Sequence, residues 1–490
     1  MAISTAVPIS SVARVLGIKT EFKDLSGGVR LLPQRLAVVG QGSSVSVYDT
    51  VKRQVTSALE VANIYGFGSP LHLAVREIFP RSGGGVGNIP VTIYPIIDGT
   101  TASSGIIAVV ANPTESESYQ VDVNGIRSAT FVINVGDTYV PVVAAMVEAI
   151  NSTLEMPVIA VDNGTIDLQL TSKWKGTSAN NLIVSVVGST TAGNTFAVTQ
   201  LTGGLVNPSV QPALDQFGNV WETMVLNCLE TTDSTAMTAF NNFGEGRWGA
   251  LVRKPLIVFS GTNEASVSAA IVVPESRKTE RVNSQLPAPG SINLPFVIAA
   301  SQLSEIVLVA NNNPPHDYGS QDASGLIPGA DGLQWTYTQR EQAVKAGSST
   351  IEVKDGVVNI SDVVTFYHPT GDTEPLYRFV VDIVKIQNIL FNIDFEFARP
   401  EWDGAPLIPD NQASSNPSAK KPKSAKAVIA SIIDSLASEA IISDPDVAKK
   451  SIQAGIDSGN SKRLNIAVSV SVSGNTNVKS IDLNLGFLLG

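Results

Sequence analysis

This chain is poor in the side chains from which most enzymes build their sites. Among its 490 residues there are one cysteine and three histidines, and only 16% are charged, against roughly 25% in average soluble domains. A single cysteine, Cys228, excludes an intrachain disulfide and with it a disulfide-stapled secreted scaffold. His72, His316 and His368 share no metal-ligand spacing with one another or with Cys228. No stretch reads Gly-x-x-x-x-Gly-Lys-Ser/Thr, Gly-x-Ser-x-Gly or His-Glu-x-x-His, so the common phosphate-cradle, esterase and metalloprotease signatures are missing. The net charge of −11 lacks the basic footprint of a nucleic-acid binder. The longest apolar stretch, Leu294 to Ala310, is broken by Ser301, Gln302, Ser304 and Glu305, too polar to insert into a bilayer. No basic segment followed by an apolar one opens the chain, so the expectation is a protein made in, and retained by, a reducing cytoplasm.

Three weaker signals for chemistry are each explained more simply. Gly40-Gln41-Gly42 follows a strand-like run, but the third glycine of a dinucleotide fingerprint would fall at Val45, which leaves an ordinary strand-to-helix turn. His316 beside Asp317 is the best lone candidate for a general base, and it has no paired nucleophile. The segment Asp322 to Asp331 lacks the alternating ligands and closing Glu of a calcium loop. No catalytic, cofactor-binding or metal-binding residue is therefore expected, and the chain reads as a non-enzyme without cofactor.

What the chain does have is glycine (40), proline (27), a 43% hydrophobic fraction and two nearly uncharged ends. Leu464, Ile466, Val468, Val470 and Val472 alternate with small or polar residues, Ser473-Gly474-Asn475 turns, and Ile481, Leu483, Leu485, Phe487 and Leu489 alternate again. Period-two spacing of this kind puts one side of each strand against something dry. The opening is similar: Ile3, Val7, Ile9 and Val12 are spaced among Ser, Thr and Pro with Arg14 as the one charge before Gly17. Strands so lightly charged are templates for pairing with another chain unless their own fold covers them. The ends suggest a subunit that joins copies of itself.

Between the ends the pattern predicts a multidomain α/β (α+β) protein. Strand Arg35–Gly40, helices Val51–Tyr65 and Pro70–Phe79 and strand Pro90–Ile97 open an α/β body. From 98 to 207 the chain turns rich in Thr, Ser, Val, Asn and Gly, with short strands divided by turn signals and one helix, Val140–Leu154. This reads as an inserted β-rich domain, self-contained and outward-facing. The body resumes with strand Val220–Leu229, helix Thr235–Asn242, strand Pro255–Ser260, helix Asn263–Ala270 and the apolar element Pro295–Val309. A Gly/Pro/Asp-rich loop, Asn311–Gly332, follows. Next come a short helix Thr338–Ala346, a hairpin turning at Asp355-Gly356, the helix Leu376–Phe397, and the amphipathic helix Ala425–Ile441. The predicted division is an N-terminal arm 1–28, a body from 29–97 and 208–331, the insertion 98–207, a C-terminal domain 332–463 and a C-terminal arm 464–490.

The run Gln339-Arg340-Glu341-Gln342-Ala343-Val344-Lys345-Ala346-Gly347, leading through Ser348 to Ile351 into Gly356-Val357-Val358-Asn359-Ile360, resembles the helix and hairpin of contractile tail sheath proteins. The order of elements around it agrees, and the Ala2-Ile3-Ser4 opening looks like that of Mu-like myophage sheath subunits. The resemblance covers most of the chain outside the insertion. It implies homo-hexameric rings stacked helically around an inner tail tube protein, with baseplate and tail terminator proteins at the ends. It implies assembly in the bacterial host cytoplasm, residence in the virion tail, and contraction without nucleotide hydrolysis that drives the tube through the host envelope. It also implies that terminal arms add strands to neighbouring subunits, which places Ile3, Val7, Ile9, Val12, Leu464, Ile466, Val468, Val470, Ile481, Leu483, Leu485 and Phe487 at joints. Lys449, Lys450, Lys462 and Arg463 are candidate contacts to an acidic tube. Two other readings stand beside it: another assembly protein (tube, capsid or fimbrial subunit), and a cytoplasmic α/β enzyme with its site in the loop Asn311–Gly332.

Overall fold

The central strand Leu36–Gln41 is apolar and buried along its whole length, as expected of a parallel strand covered on both faces. The computed structural model describes residues 30–81, 83–188, 196–323, 325–370, 377–483 and 485. These fall into a larger unit, 31–391 with 472–485, and a smaller one, residue 30 with 392–471. The N-terminal positions Ile3, Val7, Ile9 and Val12, and Phe487 at the other end, lie outside the described residues.

In the larger unit Leu36–Gln41 pairs in parallel with Met224–Asn227 on one side and Val91–Ile96 on the other. Ile257–Thr262 and Asn283–Pro287 extend the sheet in parallel, and the three-residue strand Arg53–Val55 closes the opposite edge antiparallel, six strands in all. Alternate residues serve alternate cores. Leu36, Val38, Val91 and Ile93 meet Leu71 and Val75 of helix Pro70–Ile78 and Ile298 of helix Pro295–Asn312. Ala37, Val39, Tyr94 and Ile96 meet Ala236 and Phe240 of helix Ser234–Trp248. Each such Leu or Ile, fully buried, contributes roughly 1.5–3 kcal/mol. The expected α/β class holds.

Two details differ from the sequence expectation. The helix expected from Val51 begins only at Ala58, because Ser57 Oγ accepts the Glu60 N–H at 3.2 Å while Glu60 Oε2 accepts the Thr56 N–H at 3.0 Å. That reciprocal cap starts the helix and leaves Arg53–Val55 free to pair as a strand. The edge strand Asn283–Pro287, polar in sequence, is wholly buried. Its outer edge is bonded by another segment of the chain: Ser349 N–H to Gln285 C=O at 3.2 Å, Phe366 N–H to Asn283 C=O at 2.9 Å. Hydrophobic periodicity cannot report a strand whose side chains bury themselves through hydrogen bonds, as Asn283 does to the Met237 carbonyl at 3.1 Å and Gln285 to the Ala270 carbonyl at 2.9 Å.

Between the third and fourth strands of the body, residues 102–202 hold two four-stranded sheets. One is Phe196–Thr202, Ala102–Val109, Asp167–Lys175 and Val158–Asp162, all antiparallel. The other centres on Glu117–Val123, which pairs with Val184–Val187, Ile126–Arg127 and Phe131–Ile133. Asn124 (φ 51°) and Gly125 (φ 82°) make its tight turn, and helix Tyr139–Ser152 packs alongside. Contrary to the expectation of a self-contained insertion, its core is continuous with that of the body. Trp174, with no exposed surface, meets the ring of Phe296 edge-on, centroids 6.1 Å apart. Lys173 Nζ donates to the carbonyls of Phe67 at 3.2 Å and Leu154 at 3.1 Å, and burial lowers its pKa to about 8.

Further along, helix Tyr337–Lys345 opens on a Thr336–Gln339 capping box, and the hairpin Thr350–Lys354 with Val357–Asp362 turns at Asp355 (φ 50°) and Gly356 (φ 79°). Positive φ at both turn residues matches strand twist, the reason Asp-Gly signals a hairpin so strongly. The helix Val380–Phe397 follows.

In the smaller unit, helix Pro422–Ser438 turns Ala425, Ile429, Ile432, Ile433 and Leu436 inward, against helix Pro445–Ser451 and the strand Gln453–Ile456. That strand pairs antiparallel with Leu464–Ala467, register Gln453 to Ala467 and Ile456 to Leu464.

Candidate assembly site

The C-terminal run divides into three stretches of different character. The first, Leu464–Ala467, is already paired within its own unit. Its turn is held by the Asp457 carboxylate, which accepts the Gly459 N–H at 3.0 Å and the Asn465 side chain at 3.0 Å; the Asn465 bond is the main reason its pKa lies below the usual carboxylate range. Leu464, Ile466, Val468 and Val470 are all half-buried, and Val468 and Val470 lie outside any strand. A two-stranded sheet is marginal by itself, and three strands make a stable one.

In the second stretch the chain returns to the larger unit. The Ser473 carbonyl and Asn475 Oδ1 each accept a 2.6 Å hydrogen bond from Lys385 Nζ, and Asn475 Nδ2 donates to the Pro315 carbonyl at 2.8 Å. The third stretch is uncovered: Val478 is 86% exposed, Ile481 85%, Leu483 75% and Leu485 86%. From Val478 through Leu485 the described residues form no strand in the single chain. Exposed apolar side chains gathered so closely are a usual sign of an interaction surface.

The four candidate cations separate into two kinds. Lys449 Nζ is held by Asp434 at 2.7 Å and Asp446 at 3.1 Å, and Arg463 Nε donates to Asn465 Oδ1 at 2.8 Å. Lys450 and Lys462 are exposed and make no ion pair among the described residues.

The residues weighed for catalysis are dispersed. Burial drives the Cys228 thiol pKa well up. His72 Nδ1 accepts the Gly68 N–H at 3.0 Å, and burial lowers its pKa to about 4. His316 lies exposed, its Nδ1 against the Asp317 carbonyl, and no group of three metal-ligating side chains occurs among the described residues. At Gly40 a Cβ would lie 2.8 Å from the Cys228 Cβ, and at Gly42 2.4 Å from the Tyr48 ring. These glycines admit neighbouring side chains, not a phosphate. No helix among the described residues is long and apolar enough to cross a membrane.

Lys385 was not singled out from the sequence, and Asn475 was read only as part of a turn. The available signal was a lysine inside the apolar stripe Val380-Val381-Asp382-Ile383-Val384-Lys385-Ile386, where a charge has to find partners from elsewhere in the chain.

No family model matches the chain. It is similar to the Mu-like prophage FluMu tail sheath protein of Haemophilus influenzae, with 20% identity over 351 residues, 69% of each protein. Among solved structures it is similar to the sheath tail protein of Desulfitobacterium hafniense (12% identity, 94% of this chain and 100% of that one, TM-score 0.47). The sheath tail protein of Listeria innocua gives 13% identity over 92% of this chain and 94% of that one, with a TM-score of 0.48.

Proposed function

From the chain's likeness to a Mu-like tail sheath protein, we propose that it is a structural subunit of a contractile tail sheath and not an enzyme. Copies form hexameric rings stacked around an inner tail tube, between baseplate and terminator proteins, and contraction drives the tube through the host envelope. The subunit is made in the bacterial host cytoplasm and resides in the virion tail. The observation that carries the reading is the exposed apolar run from Val478 to Leu485, which leaves a hydrogen-bonded root at Ser473 and Asn475. In a neighbour, the sheet Gln453–Ile456 with Leu464–Ala467 has two strands only and is the proposed acceptor of a third. A donated strand bonds mainly through its backbone, so the joint persists while the bodies it links rotate. Identical subunits joined head to tail in this way build rings and open helices. The five-part division at 28/29, 97/98, 207/208, 331/332 and 463/464 is proposed with it, the arms being 1–28 and 464–490.

Negative-stain microscopy of the purified full-length protein tests the reading. Thick helical tubes are expected. Thin tubes, shells or fibres would point to another assembly protein, and small discrete particles at high concentration would overturn the proposal.

A further inference from the structure

Helix Val380–Phe397 buries polar residues in an otherwise apolar stripe: Lys385, Gln387 and Asn388 are each 0% exposed. A buried ammonium is costly unless its donors are all used. Lys385 uses them on Asp382 Oδ1 at 3.0 Å, the Ser473 carbonyl at 2.6 Å and Asn475 Oδ1 at 2.6 Å. One turn on, Asn388 Oδ1 accepts the Leu32 N–H at 2.8 Å, while its Nδ2 bonds back to the Val384 carbonyl at 2.9 Å. Within the smaller unit, Asn392 brackets Arg30, accepting its N–H at 3.3 Å and donating to its carbonyl at 3.0 Å. Residues 385 and 388 are spaced three apart, which places them along one side of the helix.

We propose that this helix is the common root of both terminal segments, with Lys385 as the positioning residue for the C-terminal one and Asn388 for the N-terminal one. The chain is fixed as far as Asn475 and available to a second copy from Val478 onward. What the terminal segments then join rests on the sheath reading; how they are held does not.

Hydrogen exchange of the full-length, unassembled protein tests the root separately from assembly. Lys385→Met, which keeps the length and removes the charge, is expected to speed exchange across 473–477 by about tenfold or more, as loss of hydrogen bonds to a charged group implies. Exchange at 31–33 is expected to stay as in wild type, and Asn388→Ala is expected to give the converse. Asn475 is half-buried near the chain end, so Asn475→Ala reports even if Lys385→Met fails to fold. Asn475→Asp keeps an acceptor for the ammonium but loses the donor to the Pro315 carbonyl, and is expected to retain more protection than Asn475→Ala, a partial rescue that packing alone would not produce. Unchanged exchange at 473–477 in Asn475→Ala overturns the C-terminal root, and unchanged exchange at 31–33 in Asn388→Ala overturns the N-terminal one. Tube yield is scored independently: faster exchange in Asn475→Ala with undiminished tubes would keep the root and remove its part in assembly.

Discussion

Trp174, from a strand of the insertion, and Phe296, at the start of a body helix, share one dry core with their rings packed edge to face, centroids 6.1 Å apart. The insertion is bonded to the body at its base as well: Gln41 Nε2 donates to the Lys175 carbonyl at 2.7 Å and to Asp98 Oδ1 at 2.9 Å. Excising 98–207 therefore leaves an open apolar face and unpaired polar groups, and insoluble protein is the expected product. Trp174→Ala is expected to cost about 3–5 kcal/mol of stability, the usual range for a large aromatic removed from a core. Urea unfolding measures it; a loss below about 1 kcal/mol would remove Trp174 from the residues that hold this core together.

Truncation has to respect the pairing of Leu464–Ala467 with Gln453–Ile456. A cut before 464 strips a strand from the smaller unit, whereas a stop after Asn477 leaves that strand and the Ser473 and Asn475 contacts in place. The shorter truncation is expected to keep the wild-type melting temperature and to abolish tubes. Leu483→Asp is expected to act in the same way, since a charge cannot sit on the dry side of an added strand. Tubes from the truncated protein would remove the C-terminal run from the joint.

For contact with an inner tube, Lys450 and Lys462 are the cations to reverse, because Lys449 is already committed to Asp434 and Asp446. Changing both to Glu is expected to weaken co-assembly with the tube while sheath-only polymerisation proceeds. Added salt should reproduce the effect on the wild type. Co-assembly indifferent to both changes would leave these lysines as solvated charge.

His72 is expected to make the fold less stable in acid. Its folded pKa of about 4 lies below its unfolded value of 6.5, so between them the unfolded chain binds the extra proton. The stability that neutral His72 provides is complete above pH 6.5 and declines as pH falls from there towards 4. The slope is at most about 1.4 kcal/mol per pH unit. Urea midpoints of wild type and His72→Asn, compared at several pH values across that window, should converge as pH falls. Parallel profiles would assign the acid sensitivity to other groups.

Where the chain's local chemistry and its burial agree, the sequence was legible. The apolar strand Leu36–Gln41, the helix after Pro70 and the Asp355-Gly356 hairpin all lie where periodicity and turn residues put them. It was opaque where partners distant in sequence decide the outcome. Asn283–Pro287 is a strand because residues 348–366 close over its edge, and Lys385 is tolerated because Ser473 and Asn475 come back to it. The unity of insertion and body was hidden for the same reason: polar, turn-rich strands reveal that they pair but not what their apolar side meets. For the uncovered C-terminal run, alternation showed the dry side of a strand. The lone chain supplies no strand partner there among the described residues, so the run is exposed.

The body sheet ends in two edges that are both blunted. On one side Arg53–Val55 offers three residues, two of them exposed and polar, and the chain just before it is fastened by Lys52 N–H to Gln216 Oε1 at 2.8 Å. On the other, Asn283–Pro287 is occupied by Ser349 and Phe366. A subunit that assembles through added strands, as proposed above, faces the hazard of joining through whichever sheet edge is open. Here the largest sheet offers an incoming chain almost no backbone to bind. Blunted edges of this kind disfavour edge-to-edge aggregation, and on the proposed reading they leave association through strands to the terminal segments.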